Sequence, residues 1–216
     1  MAKQLPNSAE ALDAILNVSR ETKDRLQVYV GLLEKWQKSR NLVAPATLKT
    51  VWTRHVADSA QAFAVAPDAR TWVDLGSGAG FPGLVTGIIL AELGAGVVHL
   101  VESNSGKAAF LRTVARETGA RVVIHTIRIE AFTAEFRESV DAVSARALAP
   151  LDELLSLAEP LLSGNARAVF HKGQDFVSEL AKATPSWAFD LLEQFSPIEA
   201  GSRIVVLRHV RRRDPS

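Results

Sequence analysis

The stretch that decides the fold reads TWVDLGSGAGFPG and runs from Thr71 to Gly83. Its first five residues are mainly apolar, which predicts a short buried strand. The glycines that follow predict a tight turn, because glycine adopts positive φ values and lets a ligand approach the backbone closely. Pro82 predicts the start of a helix, since proline is favoured at the first helical position. The free N–H groups at the start of that helix would face a bound ligand.

A second strand completes a βαβ unit around this turn. A predicted helix from Gly83 to Leu93 is followed by an apolar run from Val97 to Val101. The unit therefore has the roughly 30 residues typical of a nucleotide-binding βαβ motif. Glu102 follows at the carboxyl end of the second strand, where an acid accepts hydrogen bonds from a ribose diol. The pattern predicts a site for a nucleotide-type cofactor.

The residues leave three interpretations of this motif open. The glycines also fit G-x-G-x-x-G, with Glu102 about 20 residues further on, which is typical of a dinucleotide site. Asp74, however, lies directly before the turn. A carboxylate there would repel a pyrophosphate and attract a cofactor that carries an ammonium and a sulfonium group. We therefore predict S-adenosylmethionine, with a dinucleotide and a purely structural glycine turn as the alternatives.

Composition excludes several classes of protein. The 216 residues are 47% hydrophobic and include no cysteine. One sizeable core is therefore expected, whereas disulfides, thiolate nucleophiles and cysteine-ligated zinc are excluded. No apolar run approaches the ~20 residues of a membrane span, and the first twenty residues do not resemble a signal peptide. We expect a soluble, cytoplasmic protein without a metal site.

The net charge of +1 hides a segregated distribution of charges. Residues 35–57 and residues 200–213 are rich in bases and contain no acid. Such segregation predicts a face that binds a polyanion, and the alternative is a solvated helix face followed by a frayed basic tail. The basic residues are Lys35, Lys38, Arg40, Lys49 and Arg54 in the first segment and Arg203, Arg208, Arg211, Arg212 and Arg213 in the second.

The rest of the chain alternates between helical and strand patterns. Three helices, over residues 8–18, 20–38 and 46–66, are expected to pack over one end or edge of the sheet. Further strands are predicted at 121–126, 140–144 and 166–171, further helices at 105–118, 151–162 and 174–183, and a final hairpin at 189–196 and 203–210. This order predicts an α/β fold with a doubly wound, Rossmann-like, mostly parallel sheet and one antiparallel strand. We divide the chain into an N-terminal helical extension, residues 1–68, and a methyltransferase-type domain, residues 69–216.

Motifs spread over nearly the whole chain carry a family resemblance. Besides the glycine turn they are Lys35-Trp36, Asn41-Leu42, His55, Asp58-Ser59, Glu102-Ser103, Lys107, Phe110-Leu111, Ile129-Glu130, Arg146-Ala147 and Lys172-Gly173. With them the chain resembles the bacterial 16S ribosomal RNA guanine-N7 methyltransferases, the small-subunit methyltransferase G or glucose-inhibited division protein B family. It departs from the family pattern at Ala145, where a serine is usual, and at Ala44-Pro45-Ala46.

The resemblance implies an enzyme that transfers a methyl group from S-adenosylmethionine to N7 of a guanine in 16S rRNA, leaving S-adenosylhomocysteine. Its partner would be 16S rRNA or the small ribosomal subunit, and we expect a monomer. The resemblance places Gly76 and Phe81 against the cofactor, Ile129-Glu130 beside its adenine, and Arg146 in the site. The full set of cofactor-binding candidates is Asp74, Gly76, Ser77, Gly78, Phe81, Glu102, Ser103, Ile129, Glu130 and Arg146.

Guanine N7 carries a free lone pair and no proton, so its methylation needs positioning rather than a general base. The chain offers cations that can hold guanine O6 or a phosphate, and the substrate-orienting candidates are Arg146, Lys172 and His55. Arg146 has a structural ion pair as its alternative role. His55 falls on an apolar helix face, where it could instead be buried and bonded to Asp58 or to a sheet loop.

The RNA-contacting candidates combine the basic segments with one aromatic residue. Trp36 lies between two lysines and could stack on an unpaired base. The set comprises Lys35, Trp36, Lys38, Arg40, Lys49, Arg54, Arg211, Arg212 and Arg213. Two other functions remain open at this point, because a fold alone does not fix a substrate. They are a small-molecule or protein methyltransferase and a non-enzymatic RNA- or nucleotide-binding module.

Overall fold

Seven strands form one sheet within residues 5–162 and 164–213, the part of the chain that the computed structural model describes. The strands are β1 (Thr71–Leu75), β2 (Val97–Val101), β3 (Val122–His125), β4 (Ala142–Arg146), β5 (Arg167–Lys172), β6 (Trp187–Phe195) and β7 (Arg203–Arg212). Their order is β3-β2-β1-β4-β5-β7-β6. Strands β1 to β5 run parallel, and β7 is antiparallel to both of its neighbours. The predicted doubly wound sheet with one reversed strand is confirmed.

The helices begin and end where local signals place them. They are α1 (Arg20–Gln37), α2 (Asp58–Ala64), α3 (Gly83–Glu92), α4 (Ser105–Thr118), α5 (Ile129–Glu135), α6 (Leu151–Ala158) and α7 (Phe176–Ala183). At the start of α4 the Asn104 side chain accepts a hydrogen bond from the Lys107 N–H. Gly119 ends that helix in the left-handed conformation with φ +65°, which glycine adopts without a steric penalty. Among the described helices none is both long and apolar enough to cross a membrane.

Several predicted boundaries are wrong. Helix α5, at Ile129–Glu135, is absent from the predicted helices. The fourth strand begins two residues later than predicted. Helix α3 begins at Gly83 as predicted, but Pro82 is its cap and not its first residue, and the helix ends at Glu92 instead of Leu93. The helix expected over 8–18 is a 3₁₀ segment at Ala9–Ala14, and that expected over 151–162 gives way to a 3₁₀ turn after Ala158.

The single helix predicted over residues 46–66 is also wrong. The structure divides it into a 3₁₀ segment at Pro45–Thr50, a π-helix at Trp52–Ala57 and then α2. The Arg54 carbonyl within the π-helix accepts a hydrogen bond from Arg146, which lies 92 residues away. The conformation of this segment is therefore linked to a contact with Arg146, which no local sequence pattern reveals. π-Turns of this kind are frequent at functional sites.

The N-terminal elements cover one face of the sheet rather than an end or edge. One hydrophobic cluster joins side chains of this segment, such as Leu26 and Val56, to Trp72 of β1, Val169 of β5 and Val206 of β7. A second cluster on the other face packs α5, α6 and α7 against the sheet. The described residues before position 69 thus share a core with the sheet, and the division at residue 68 stays a prediction.

Candidate functional site

The carboxyl ends of β1, β2 and β4 enclose a cleft of about 350 Å³. Neighbouring parallel strands end at the same edge, so residues far apart in sequence meet there. The predicted candidates that line the cleft are Gly76, Gly78, Glu102, Ser103, Ile129 and Glu130. Lys107, Ala147 and Leu148 complete part of its wall. Asp74, Ser77 and Phe81 are buried, and they do not belong to the lining.

The glycine turn and Glu102 hold one another in the cleft wall. Gly78 has φ +57°, and its N–H donates to Glu102 Oε2 at 2.9 Å. The Asn104 N–H donates to Glu102 Oε1 at 2.7 Å. Glu102 is 8% exposed and faces the cleft, so its carboxylate has a fixed orientation. Such a carboxylate at the end of the second strand suits a ribose diol.

Asp74 lies beneath the turn, with 1% of its surface exposed. Ser144 donates a hydrogen bond to Asp74 Oδ1 at 2.7 Å, whereas the buried Oδ2 has no partner among the described residues. Burial raises the pKa of Asp74 to about 6, against the opposing effect of the Ser144 hydrogen bond. A Cβ at Gly83 would lie 2.7 Å from Asp74 Oδ2, so only glycine permits this approach of α3 to β1. An unpartnered buried carboxylate fits a ligand that carries positive charge.

Phe81 is the middle member of an aromatic stack. Its ring lies 5.1 Å from the ring of Tyr29 and 5.0 Å from that of His55, and both pairs are stacked. The Tyr29 hydroxyl donates to the Ala79 carbonyl at 2.6 Å. The stack therefore fastens the glycine turn to α1 and to the π-helix. Sequence reasoning did not select Tyr29, although it is the chain's one tyrosine on an otherwise apolar stripe.

Arg146 reaches from the end of β4 into the N-terminal segment. Its Nη2 donates to the Arg54 carbonyl at 3.0 Å and to His55 Nδ1 at 2.7 Å. Its Nη1 forms an ion pair with Asp58 Oδ2 at 3.3 Å. The guanidinium carbon also lies 5.8 Å from the centre of the Phe81 ring. The guanidinium is thus held in one orientation by contacts from three sides.

His55 is a buried, neutral partner of Arg146. Burial lowers the pKa of His55 to about 3, and the neighbouring charges of Arg146 and Arg54 act in the same direction. Because a neutral imidazole has one donor and one acceptor, Nδ1 accepts from Arg146 and Nε2 donates to Thr47 Oγ1 at 2.7 Å. The expected partner Asp58 does not bond to His55; it binds Arg146 instead. A histidine in this state does not exchange protons near neutral pH.

A second, basic pocket of about 260 Å³ adjoins the cleft. Its lining includes Arg54, Asp58, Arg146, His171, Lys172 and Arg203. Ala147 lines both cavities and has φ +51°, an uncommon conformation for a residue other than glycine. The two cavities therefore meet at the carboxyl end of β4. His171, which sequence reasoning did not select, donates through Nε2 to the Asp58 carbonyl at 2.9 Å.

Lys172 has a structural partner in this pocket. Its Nζ lies 2.6 Å from Glu179 Oε2 and 2.9 Å from the Ala149 carbonyl. The same Glu179 oxygen accepts from the Leu151 N–H at the start of α6. The ammonium of Lys172 therefore ties α6 and α7 to β5. Of the three substrate-orienting candidates, Arg146 and His55 contact each other, and Lys172 is held separately.

One residue of the first basic segment, Arg40, lies near the start of α4 at the rim of the cofactor cleft. Lys35, Lys38 and Arg40 are exposed, and Arg40 approaches Gly106 of α4. Trp36 is half-buried, with its ring 5.6 Å from that of Phe110, so it is partly a packing residue. Lys49 is exposed within the 3₁₀ segment Pro45–Thr50, and Arg54 forms an ion pair with Glu199.

The second basic segment does not share that rim. Antiparallel β7 starts at the carboxyl edge of the sheet, where Arg203 pairs with Lys172 of β5. It ends on the opposite side of the sheet, where the parallel strands have their amino ends and which we call the amino edge. There Arg211 and Arg212 pair with Ala188 and Trp187. The alternative of a frayed basic tail is wrong for residues up to 212, because they form a paired strand. The expectation of one basic face is likewise wrong for this segment.

Solved structures of methyltransferases have similar folds. The S-adenosylhomocysteine-bound Podospora anserina methyltransferase PaMTH1 aligns with a TM-score of 0.59 and 15% identity, covering 90% of this chain and 97% of that one. A SAM-dependent O-methyltransferase from Thermotoga maritima aligns with a TM-score of 0.55 and 16% identity, covering 86% and 73%. The sheet and its cleft therefore have the Rossmann-like fold of S-adenosylmethionine-dependent methyltransferases.

Sequence comparisons narrow this class to one family. Residues 22–205 match the family described as rRNA small subunit methyltransferase G. A protein of Rhizobium johnstonii called Ribosomal RNA small subunit methyltransferase G is 54% identical over 199 residues, 91% of this chain and 97% of the relative. A protein of the same name from Parvibaculum lavamentivorans is 51% identical over 201 residues, 93% of this chain and 88% of the relative. The chain belongs to the rRNA small subunit methyltransferase G family.

Proposed function

We propose that this enzyme methylates N7 of a guanine in 16S rRNA of the small ribosomal subunit. The observation that supports this most directly is the junction of two cavities at Ala147, one suited to a cofactor and one lined by arginines. The family's described substrate, small-subunit rRNA, fits the basic residues at the rim. We further propose that the enzyme acts as a cytoplasmic monomer.

The cofactor cleft supplies contacts of three chemical kinds. When bound there, S-adenosylmethionine supplies an electrophilic methyl group. The Glu102 carboxylate would accept hydrogen bonds from a ribose, and Ile129 would border an adenine. Asp74, with its unpartnered Oδ2, would stabilise positive charge above the turn. These roles fit the residues present and remain proposals for this chain.

The basic pocket suits a reaction that requires orientation but no proton removal. Guanine N7 is nucleophilic without deprotonation, and its O6 is a hydrogen-bond acceptor. Arg146, held by His55 and Asp58, is fixed where it could donate to O6 or to a phosphate while N7 stays free. Fixing the reacting groups in this way can supply ~7–11 kcal/mol of the barrier reduction. His55 is neutral and already bonded on both nitrogens, so it orients Arg146 and takes no proton.

The rim formed by Lys35, Lys38 and Arg40 is the proposed contact for RNA phosphates near the target. All three side chains are exposed, and Arg40 lies beside Gly106 in the first turn of α4, which borders the cleft. Phosphate contacts position an RNA without reading its sequence. The basic rim would therefore hold the strand while the pocket selects the base.

Methyl transfer from labelled S-adenosylmethionine to unmodified 16S rRNA and to small subunits tests the proposal. We expect one labelled guanine, and Glu102→Ala serves as the control that loses labelling through the cofactor site. Synthetic RNA with 7-deazaguanine at that position has a carbon in place of N7. Loss of labelling on this RNA supports attack by N7, whereas retained labelling would show that another atom is methylated.

A further inference from the structure

Three arginines at the end of β7 or directly after it lie at the amino edge. Val206 of β7 faces the N-terminal helices, and Leu207 faces the opposite layer, so Arg208 returns to the first face. Strict alternation would then place Arg211 on the opposite face. A β-bulge prevents this: His209 has φ +51°, and the register with β6 shifts between Ala188 and Asp190.

After the bulge, Val210 packs in the second layer, and Arg212 lies 4.5 Å over the ring of Trp187 on the same side. Arg211, on the next alternate position, then points to the face of Arg208. Arg213 follows directly after β7, and its Nε donates to the Trp187 carbonyl at 3.0 Å. We call Arg208, Arg211 and Arg213 the basic amino edge. All three are exposed. Among residues 5–162 and 164–213, none of the three has a carboxylate within ion-pair distance, whereas Arg212 pairs with Glu159 at 2.9 Å.

A cleft of about 520 Å³ opens beside this edge. Its lining includes Asp68, Asp141, Asn165, Arg167, Arg208 and His209. The two carboxylates are already bonded: Arg167 donates to both oxygens of Asp68 at 3.0 and 2.7 Å, and Asp141 accepts the N–H groups of Arg70 and Thr71. Arg208 therefore has no carboxylate within ion-pair distance among the described residues. The Arg167 hydrogen bond and, to a smaller extent, the charge of Arg208 lower the pKa of Asp68.

The basic amino edge is far from the proposed site of methyl transfer. Arg203 lines the basic pocket, and Arg211 lies eight residues further along the same strand. At ~3.3 Å per residue the two are roughly 25 Å apart, which corresponds to about seven stacked nucleotides of a single strand. The match to the family, over residues 22–205, does not include these arginines.

We propose that the basic amino edge binds phosphates of a second 16S rRNA segment, distinct from the segment that carries the target guanine. This inference rests on the proposed rRNA substrate. Exposed arginines that have no carboxylate within ion-pair distance release counterions when they meet phosphates, so they add affinity that depends on salt and not on sequence. The surface would increase affinity for the large RNA and leave the chemical step unchanged.

The test measures RNA affinity against salt concentration for the triple variant Arg208→Ala, Arg211→Ala, Arg213→Ala. The two RNAs are full-length 16S rRNA and a short stem-loop that contains the identified target guanine. On 16S rRNA we expect the log–log salt slope to flatten by about two units and the affinity to fall roughly tenfold. On the stem-loop we expect neither to change, and kcat at saturating 16S rRNA should match wild type.

Two controls separate the possible outcomes. The first control, Arg212→Ala, removes one positive charge from the same strand but on the other face. The second control, the triple variant Arg20→Ala, Arg116→Ala, Arg137→Ala, removes three exposed arginines elsewhere. Equal losses in these controls, or no loss in the test variant, would overturn the inference. A loss on small subunits without a loss on protein-free rRNA would assign the surface to a ribosomal protein and overturn it too. Wild-type enzyme that methylates neither RNA would refute the proposed function instead.

Discussion

The two edges of the sheet use arginine in opposite ways. At the carboxyl edge Arg146 is held by a carbonyl, a histidine and a carboxylate, and only 18% of its side chain is exposed. At the amino edge Arg208 and Arg211 are exposed and have no ion-pair partner among the described residues. A fixed, desolvated cation suits the orientation of one base, whereas exposed cations supply salt-dependent affinity. Counting basic residues along the chain does not distinguish these two roles.

The largest effect is expected for Arg146→Ala. Removal of a preorganised donor commonly costs about 100-fold or more in kcat, and here Asp58 also loses its cationic partner. We expect S-adenosylmethionine affinity, measured by calorimetry, to change much less than the single-turnover rate. Arg146→Lys keeps the charge but lacks the planar fork, so it should restore little activity. A normal single-turnover rate in a folded Arg146→Ala variant would assign the residue to structure alone.

The next largest effect is expected for Asp74→Asn, which should raise the stability of the protein and weaken its binding of S-adenosylmethionine. The pKa of Asp74, about 6 in the fold, exceeds the ordinary value of 3.8, so the folded state binds more protons between these values. Stability without ligand should therefore fall as pH rises from about 4 to about 6. Asp74→Asn should then raise the free energy of unfolding at pH 8 by up to about 3 kcal/mol, because each pKa unit corresponds to 1.36 kcal/mol.

The same substitution should weaken S-adenosylmethionine binding, because the amide cannot compensate the ligand's positive charge. Wild-type affinity should decline as pH falls below about 6, where Asp74 becomes protonated, and the variant should lack this pH dependence. Chemical denaturation and calorimetry over pH 5–8 measure both properties. An Asp74→Asn variant with unchanged stability and unchanged affinity would remove Asp74 from the proposed site.

A smaller effect is expected for His55. His55→Ala removes the acceptor that faces Arg146 and should lower kcat about tenfold, close to the value of one hydrogen bond to a charged group. His55→Asn places an amide oxygen near the former Nδ1 position and should recover part of that loss. Because the pKa of His55 is about 3, neither variant should remove an inflection from the pH–rate profile between pH 5 and 8. Loss of such an inflection would instead indicate proton transfer by His55.

The smallest effect per residue is expected at the cleft rim. Replacing Lys35, Lys38 and Arg40 by alanine should flatten the salt slope for a short target RNA by up to about two units and slow methylation below saturation. S-adenosylmethionine affinity should stay unchanged, since these side chains do not line the cleft. By contrast, the variant of the basic amino edge should weaken binding of full-length 16S rRNA and leave binding of the short RNA unchanged. A rim variant that behaves like wild type on the short RNA would leave target binding to the basic pocket.

The sequence predicts the βαβ unit well because its signals are local. The bounds of β1, β2 and α4 agree with prediction to the residue, since apolar runs, an asparagine cap and Gly119 define them. The place of Glu102 beside the glycine turn also follows, because parallel strands end at one edge. The short helix α5 was missed, since seven residues carry too little periodicity to separate a helix from a loop.

The surroundings of Arg146 could not be predicted in the same way. Its bond to His55 joins residues 91 positions apart, and helical periodicity only shows that His55 points inward. The partner of Lys172 is Glu179 on the next helix, α7. From the sequence alone, a glutamate in such an amphipathic helix is expected to face solvent, so this contact could not be predicted. The bulge at His209 is equally hidden, because positive φ is uncommon for any residue other than glycine, even though histidine is enriched among the exceptions. These contacts depend on how whole layers pack.

The π-helical turn at Trp52–Ala57 makes this site sensitive to chain length. A π-turn contains about one residue more than an α-turn, so deletion of one residue there would allow ordinary α-helical winding. Each residue of an α-helix turns the chain by about 100°, so Thr47 and the segment before it would rotate relative to α2. The apolar pattern would survive almost unchanged, yet the His55 imidazole would lose its alignment with Arg146. In this segment an insertion or deletion of one residue is therefore expected to disrupt the site more than most single substitutions do.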